Sequence, residues 1–377
     1  MPDREPTRAR RLGAILLIVG FVLVANPVPV SAHGSGGADA TNYQAVVEDP
    51  GAPGLSWKVY GGDSLLELTN ATGDVVVVAG YDGEPYLRFV PDDGVYRNTR
   101  SPATYLNASR YANGGVPADA SPDAEPVWER VAGGSMFRWH DHRIHLMTPL
   151  LYPDLEAAPD REYRLLDFRI PVTIGPDSRH VEATGGLRWI PPVRWWPPVV
   201  LTGAAFAAIA IAAAVATRRR TPPWPRLTQP VIAIIAAVLA ANAIRTGDDI
   251  AAVPATTGQN AIVITFTAAI IAVVGLLAVV AWRGTPRGIL ALAASGVLVT
   301  LLFGGEASAQ LSASQLATVL PDWVRRWTIA ASYTAALPCV IVAVVAARRY
   351  AQQLGQSAAR PVGPQAVTAG AGTAPDT

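Results

Sequence analysis

Hydrophobic residues form two distinct patterns along this chain of 377 residues. Between residues 44 and 192 they occur in short runs, such as 65–69 and 75–78, which Gly, Pro, Asn and Asp interrupt. Short β-rich runs that are broken by turn residues and lack a 3.6-residue period are typical of strands. From residue 199 onward the apolar runs are much longer. The pattern therefore predicts a domain of strands followed by a domain of helices.

The strand region predicts an antiparallel β-sandwich of immunoglobulin-like type, because its runs recur at short intervals with turn residues between them. The runs at 65–69 and 75–78 enclose residues 70–74, where we expect a hairpin turn. Residues 98–126 contain four prolines, so we expect a long excursion outside the core. Further strands are predicted at 86–90, 127–131, 136–142, 163–172 and 180–190.

The second half of the chain predicts a membrane domain. Half of all residues are hydrophobic and only 16% are charged, a balance typical of membrane proteins. Trp195 and Trp196 lie in a Trp/Pro-rich segment at 193–198, which we interpret as an interfacial linker. Five transmembrane helices are predicted within 199–347, at 199–217, 230–244, 261–282, 288–303 and 328–347.

Charge sets the expected orientation and excludes some functions. Arginines cluster on one side of the predicted spans, which predicts a cytoplasmic, disordered tail at 348–377 and a β domain outside the cell. No ionisable residue lies in the middle of a predicted span, which argues against a pump or proton-coupled transporter. Residues 33–197 hold 22 Asp and Glu against 14 Lys and Arg. This acidic region would repel phosphates, so nucleic acid is not an expected partner.

The first 32 residues resemble a secretory signal peptide. An arginine-rich start precedes an apolar stretch at 12–25, and Val30-Ser31-Ala32 fits the small-residue rule for cleavage. Cleavage there leaves His33 as the first residue of an exported domain at 33–192. The one cysteine of the chain, Cys339, lies in an apolar run, so we expect no disulfide in the β domain.

All five histidines lie in the exported segment, and imidazole is a common ligand for copper and zinc. His140 and His142 would point to the same face of a strand, with Cα atoms about 6.5 Å apart. Asp141 is a natural partner for a histidine N–H, and Met147 offers a soft sulfur ligand. The candidate metal ligands are His140, His142, His145, His33, His180 and Met147. His145 joins the first two only if a bulge or turn intervenes.

The same run has a second interpretation without metal. Trp139 would be part of the core, and Arg138 and Arg143, whose charges disfavour a cation, would pair with nearby carboxylates. Direct catalysis is a third interpretation, which we leave open and favour less than the other two. The H-x-H-x-x-H spacing differs from the metallo-β-lactamase motif, since Ile144 stands at the position of its catalytic Asp. A three-histidine zinc site of the carbonic-anhydrase kind is compatible with the spacing.

His33 carries a resemblance to copper-resistance domains of the CopC type. A first-residue histidine can chelate Cu(II) with both its α-amine and its imidazole. The late run Asp177-Ser178-Arg179-His180 is similar to the Asp-x-His motif of that family, but Ser178 occupies the place of the family's aspartate. The resemblance implies a small β-sandwich that binds copper through His33 and His180.

A second resemblance covers more of the β domain. Three pieces, at 84–87, 101–107 and 139–147, are similar to a group of actinobacterial exported multi-pass membrane proteins with an H-D-H-R-x-H motif. This resemblance implies an exported membrane protein and no particular chemistry. We expect the pieces at 84–86 and 101–107 to be scaffolding, and a binding surface is the alternative.

These patterns together favour a membrane-anchored extracytoplasmic protein that binds metal. We predict copper handling or sensing, with copper as the ligand and zinc as the second choice. The expected partners are the lipid bilayer and other envelope or copper-handling membrane proteins. The alternative is a non-metal accessory or interaction protein of the cell envelope, anchored by its helices.

Overall fold

The computed structural model describes residues 40–359, apart from 109–111, 113, 114, 148–152, 219–223, 253–256, 284, 285 and 306. The predicted signal peptide at 1–32, the candidate ligand His33 and the last 18 residues of the predicted tail lie outside the described residues.

In the described part of the chain, ten strands form two antiparallel sheets. A seven-stranded sheet has the order β1-β10-β9-β4-β5-β6-β7, and a three-stranded sheet has the order β2-β3-β8. The strands are β1 (Tyr43–Asp49), β2 (Leu55–Tyr60), β3 (Leu65–Asn70), β4 (Val76–Ala79), β5 (Pro85–Val90), β6 (Gly94–Asn98), β7 (Trp128–Gly133), β8 (Met136–Trp139), β9 (Tyr163–Ile174) and β10 (Arg179–Trp189).

The core of this domain lies between the two sheets. Leu66 and Leu68 of β3 face inward from the small sheet, and Phe89 and Ile170 face inward from the large one. Inward residues alternate with more exposed ones along β4 and β9, as expected when one face of an antiparallel sheet is buried. The structure confirms the predicted β-sandwich followed by apolar helices. The strands β1, β2 and β6 were not predicted.

The predicted hairpin at 70–74 is wrong. Strand β3 pairs with β2 and β8, whereas β4 pairs with β5 and β9, so the turn carries the chain from one sheet to the other. The side chain of Asn70 forms this turn by accepting the Thr72 N–H at 3.0 Å and donating to the carbonyl of Asp74 at 2.9 Å. The Asn side chain takes the place of backbone hydrogen-bond partners, so the chain turns here although β3 and β4 do not pair with each other.

Five described helices are long and apolar enough to cross a membrane, at Trp196–Ala216, Arg226–Ala252, Thr257–Trp282, Arg287–Gly305 and Asp322–Gln352. We call these spans one to five, and their number confirms the prediction. The helices are α1 (Pro102–Leu106), α2 (Pro153–Ala157), α3 (Trp196–Ala216), α4 (Trp224–Ala252), α5 (Thr257–Trp282), α6 (Pro286–Val299), α7 (Asp322–Thr334) and α8 (Ala336–Ala359). A π-helix at Thr300–Gly305 extends α6, and 3₁₀ turns lie at His142–Ile144 and Ser308–Leu311.

Several predicted boundaries need correction. Span two continues to Ala252, eight residues past the predicted end at residue 244. Helix α3 begins at Trp196, inside the predicted linker at 193–198. The tail predicted to be disordered from residue 348 is helical as far as Ala359. In each case polar or aromatic residues continue a helix whose apolar part alone was recognised in the sequence.

Span five is broken between α7 and α8, three residues before Pro338. A proline inside a helix lacks the N–H that would bond to the preceding turn. The side chain of Thr300, from span four, accepts the N–H of Ala336 at 3.0 Å and donates to the carbonyl of Ser332 at 3.2 Å. These bonds satisfy backbone groups at the break, as a buried helix interruption requires.

Candidate functional site

Strand β8 ends at Trp139, so the prediction of a strand through residue 142 is wrong. His142 begins a 3₁₀ turn, and Asp141 precedes it with its side chain accepting the Arg143 N–H at 3.1 Å. An aspartate in this position satisfies a free N–H at the start of a turn and favours the turn over the strand. His140 and His142 therefore do not lie on one face of a strand.

The turn brings the three histidines together in another way. The ring centre of His145 lies 6.1 Å from that of His140 and 6.0 Å from that of His142. His140 and His145 are buried, and His142 is half-buried. The sequence allowed His145 to join only through an intervening turn, and the structure contains that turn. We call these three residues the histidine cluster.

Asp63 adds a carboxylate to the histidine cluster that sequence reasoning missed. The Nδ1 atom of His145 lies 3.5 Å from the Oδ2 atom of Asp63, and neither side chain is accessible to solvent. Asp63 lies in the turn between β2 and β3, after Gly61 and Gly62. A turn aspartate beside two glycines usually faces water, so no sequence signal distinguished this one.

Asp141, which the sequence suggests as a partner for a histidine N–H, binds Arg143 and Trp139. Both of its oxygens accept bonds from the Arg143 guanidinium, at 2.8 and 2.6 Å, and the indole N–H of Trp139 donates to it at 3.0 Å. Burial alone raises the pKa of the Asp141 carboxyl, but the adjacent Arg143 charge and these hydrogen bonds outweigh it, so the net pKa lies below its usual value. Asp141 thus holds the turn together.

The second arginine of the run is also paired. Arg138 donates to Glu67 through Nε at 3.0 Å and Nη2 at 2.7 Å, across the β3–β8 pair. Trp139 is buried in the core. These contacts are the ones that the interpretation without metal anticipated. They also remove an objection to the metal interpretation, since each arginine charge has a carboxylate beside it.

The three sequence pieces that resemble the actinobacterial group meet next to the histidine cluster. Ser101, before helix α1, donates to the buried carboxylate of Glu84 at 2.6 Å. Asn107, after the same helix, accepts a hydrogen bond from the Tyr81 hydroxyl. That hydroxyl accepts the backbone N–H of His142 at 2.9 Å. The pieces at 84–86 and 101–107 therefore act as internal scaffolding for the histidine turn.

The remaining predicted ligands lie elsewhere or outside the described residues. His180 is exposed on β10 opposite Thr173 of β9, whose neighbours Val172 and Ile174 point into the core. His180 therefore lies on the outer face of the large sheet, away from the inner histidine cluster. Met147 is 44% exposed at the surface.

Among the described residues, no group of three or more His, Cys, Asp or Glu side chains is placed so that it could hold a metal ion. Ring rotation would be required before the histidine cluster shared one ion. Comparisons with protein-family models, curated proteins and solved structures find no match to this chain. The case for a function therefore depends on the geometry.

Proposed function

We propose that this protein binds a transition-metal ion, copper or zinc, in its β domain and that its helices hold this site at the membrane. The ligands are His140, His142 and His145. The observation that carries the proposal is the convergence of these three rings, at 6.0 and 6.1 Å between centres. Imidazole is a suitable ligand for both copper and zinc. The role that we propose for the site is copper handling or sensing.

The distances between rings support a shared ion. With metal–nitrogen distances of about 2.0–2.1 Å, two imidazoles on one ion have ring centres about 5–6 Å apart. The observed separations of 6.1 and 6.0 Å lie close to this range. His142 is half-buried, so the cluster has a side from which an ion enters.

Charge and the carboxylate partner also support the proposal. Glu67 pairs with Arg138 and Asp141 pairs with Arg143, at 2.7 and 2.6 Å, and the carboxylate of Asp63 lies beside the His145 ring. Metal-binding histidines commonly present their second ring nitrogen to a carboxylate, which fixes the ring and raises its basicity. The contact between Asp63 and His145 has this form.

The proposal includes an orientation across the membrane. Arginines flank the ends of the spans that lie away from the β domain, at residues 218, 283, 287, 348 and 349. The positive-inside rule then places the β domain outside the cell, in line with a cleaved signal peptide, and the C-terminus in the cytoplasm. Membership of the actinobacterial group, with its exported domain, is part of this proposal.

A second candidate function is a non-metal accessory or interaction protein of the cell envelope, anchored by its helices. One observation favours it: His140 and His145 are 8% and 2% exposed and pack inside the domain. Under this alternative the histidine cluster stabilises the fold, and its loss lowers stability without changing any affinity for metal.

The two functions are separated by titrating the full chain in detergent with Cu(II) and with Zn(II). We expect binding tighter than about micromolar, and we expect His142→Ala to weaken it about tenfold or more. His180→Ala should weaken binding less, because this exposed histidine lies on the outer face of the large sheet, away from the histidine cluster. Thermal unfolding of each variant shows whether it is folded.

Binding weaker than micromolar, or a His142→Ala variant that binds normally but melts earlier, would favour the second function. The His33 site suggested by the CopC resemblance needs a separate measurement. The intact mass of the mature protein shows whether cleavage leaves His33 first. If it does, a variant that lacks His33 should lose a copper site that is independent of His142.

A further inference from the structure

The β domain rests on the loop that connects spans four and five. Thr41 and Gln315 exchange two backbone hydrogen bonds, at 3.1 and 2.9 Å, so this loop pairs with the chain just before β1. Asn42 accepts the N–H of Ser314 at 2.8 Å, and the Ser314 hydroxyl donates to the carbonyl of Ile190 at 3.1 Å. Both ends of the β domain are therefore fastened to the same loop.

The turn between β2 and β3 fits closely against this loop. Gly62 has a φ of +73°, and a Cβ atom built on it would lie 2.2 Å from the Tyr43 carbonyl oxygen and 2.6 Å from Cβ of Gln315. The next residue in this turn is Asp63, whose carboxylate lies beside His145. One short turn thus contacts the membrane-domain loop with one residue and the histidine cluster with the next.

Arg138, two residues before His140, makes a second connection. Its Nη1 atom donates to the carbonyl of Ala252, at the end of span two, at 2.8 Å. Its guanidinium also lies 3.6 Å from the ring centre of Tyr60 and pairs with Glu67. A planar guanidinium held by an aromatic ring and a carboxylate has little freedom to adjust. Arg138 therefore links β8 directly to the end of span two.

Asp248 ties the loop to the helices on the membrane side. Its carboxylate accepts the N–H groups of Val319 and Leu320 at 2.9 and 3.0 Å, and the Thr318 hydroxyl at 2.6 Å. Arg325 of span five donates to the same carboxylate at 2.8 Å, and both side chains are almost fully buried. Asp248 lies past the end predicted for span two at residue 244, within the helix that continues to Ala252.

We propose that the histidine cluster and the helical bundle are energetically coupled through these contacts, so that a rearrangement at His140–His145 is transmitted to the end of span two and to the loop before span five. Tightly packed interfaces respond to displacement by switching arrangement, because they have little room to deform. The coupling exists in the protein without metal. Its use as a metal-sensing device rests on the proposed function.

The test uses one substitution at the turn and a matched control. Gly62→Ala places a methyl group into the contact with Tyr43 and Gln315. Gly73→Ala introduces the same left-handed strain, at φ +82°, where no atom lies within 4 Å. Hydrogen–deuterium exchange of the full chain in detergent is followed at two places, the amides of Val319 and Leu320 and the amide of His145, which bonds to the His142 carbonyl.

We expect Gly62→Ala to speed exchange about tenfold or more at both places and Gly73→Ala to change neither. Coupling is reciprocal, so Asp248→Asn, which weakens the hold on the loop, should also speed exchange at His145. If Asp248→Asn does not fold, Thr318→Val removes a single bond to the same carboxylate and should have the same direction of effect. An effect confined to the mutated side, or equal effects of the two glycine variants, would overturn the coupling.

A final measurement separates this coupling from metal binding. If Cu(II) binds the wild type, it should alter exchange at Val319 and Leu320, and Gly62→Ala should reduce that response at least several-fold while it still binds copper. Bound copper with no change at these amides would contradict the transmission. If neither Cu(II) nor Zn(II) binds, the proposed function fails, and the glycine variants still decide whether the two domains are coupled.

Discussion

The Nδ1 atom of His145 lies 3.5 Å from the Oδ2 atom of Asp63, and both side chains are closed to solvent. The pair joins the histidine turn after β8 to the turn between β2 and β3. It therefore places the histidine cluster at the end of the β domain that rests on the helices. A site at this end of the β domain is close enough to influence the membrane domain. A site at the opposite end of the β domain would be too far away.

Asp63→Asn should weaken copper binding about tenfold, because the amide no longer supports His145 as a ligand. Titration of the full chain with Cu(II) measures the effect. Asp167→Asn is the control, since the Asp167 side chain is 75% exposed and pairs with Arg164 at the surface. Unchanged copper affinity in folded Asp63→Asn would show that Asp63 does not support the ligands.

Asp141→Asn should destabilise the protein by about 3–5 kcal/mol, the cost of breaking a buried ion pair and leaving the Arg143 charge without its partner. The midpoint of chemical denaturation, followed by tryptophan fluorescence, reports the change. Glu129→Gln breaks the exposed pair with Arg97, for which about 0–1 kcal/mol is typical. Equal losses for the two variants would contradict the role given to Asp141.

Tyr86→Phe should reduce the loss of stability at alkaline pH. Burial raises the pKa of the Tyr86 phenol above its usual value, an effect that the Asn107 amide partly offsets. The native state thus holds this proton while unfolded chains release it above about pH 10, so the contribution is complete below that pH and is lost as the pH rises.

The measurement for Tyr86 is the melting temperature at about pH 9 and pH 11. Its fall across this interval should be smaller in Tyr86→Phe than in the wild type. Tyr163→Phe, whose hydroxyl lies at the surface, should follow the wild type. Identical falls in all three proteins would show that Tyr86 does not set the alkaline limit.

The orientation across the membrane can be tested with a reporter that is active only in the cytoplasm. Fused after Ala359, at the end of helix α8, it should be active, because five spans separate this point from an external β domain. Inserted after Ala252, at the end of span two, it should be silent. Activity at Ala252 or silence at Ala359 would reverse the proposed topology.

The sequence by itself determined the two-domain plan. Short runs broken by Gly, Pro and Asn predicted the strands β3, β4, β5, β7, β8, β9 and β10, and long apolar runs predicted the five membrane spans. These features can be predicted from short stretches of sequence. The period of apolar residues indicates which face of a helix or strand is buried, and the length of an apolar run indicates whether a helix can cross a membrane. The predicted ends of the spans differ from the observed ones, because polar residues such as Asp248 continue a helix when a partner such as Arg325 lies nearby.

Only the tertiary structure decided which residues form the site. Asp63 and His145 are 82 positions apart in a chain that gives no sign of their contact, and the 3₁₀ turn at 142–144 is held by the Tyr81 hydroxyl, which accepts the His142 N–H from 61 positions away. Residues 70–74 have the composition of a hairpin turn. Turn residues indicate that the chain changes direction, but they do not indicate which sheet the next strand joins. Contacts between distant segments arise from packing of whole sheets and helices, so local patterns predict the elements and leave their meeting points to the fold.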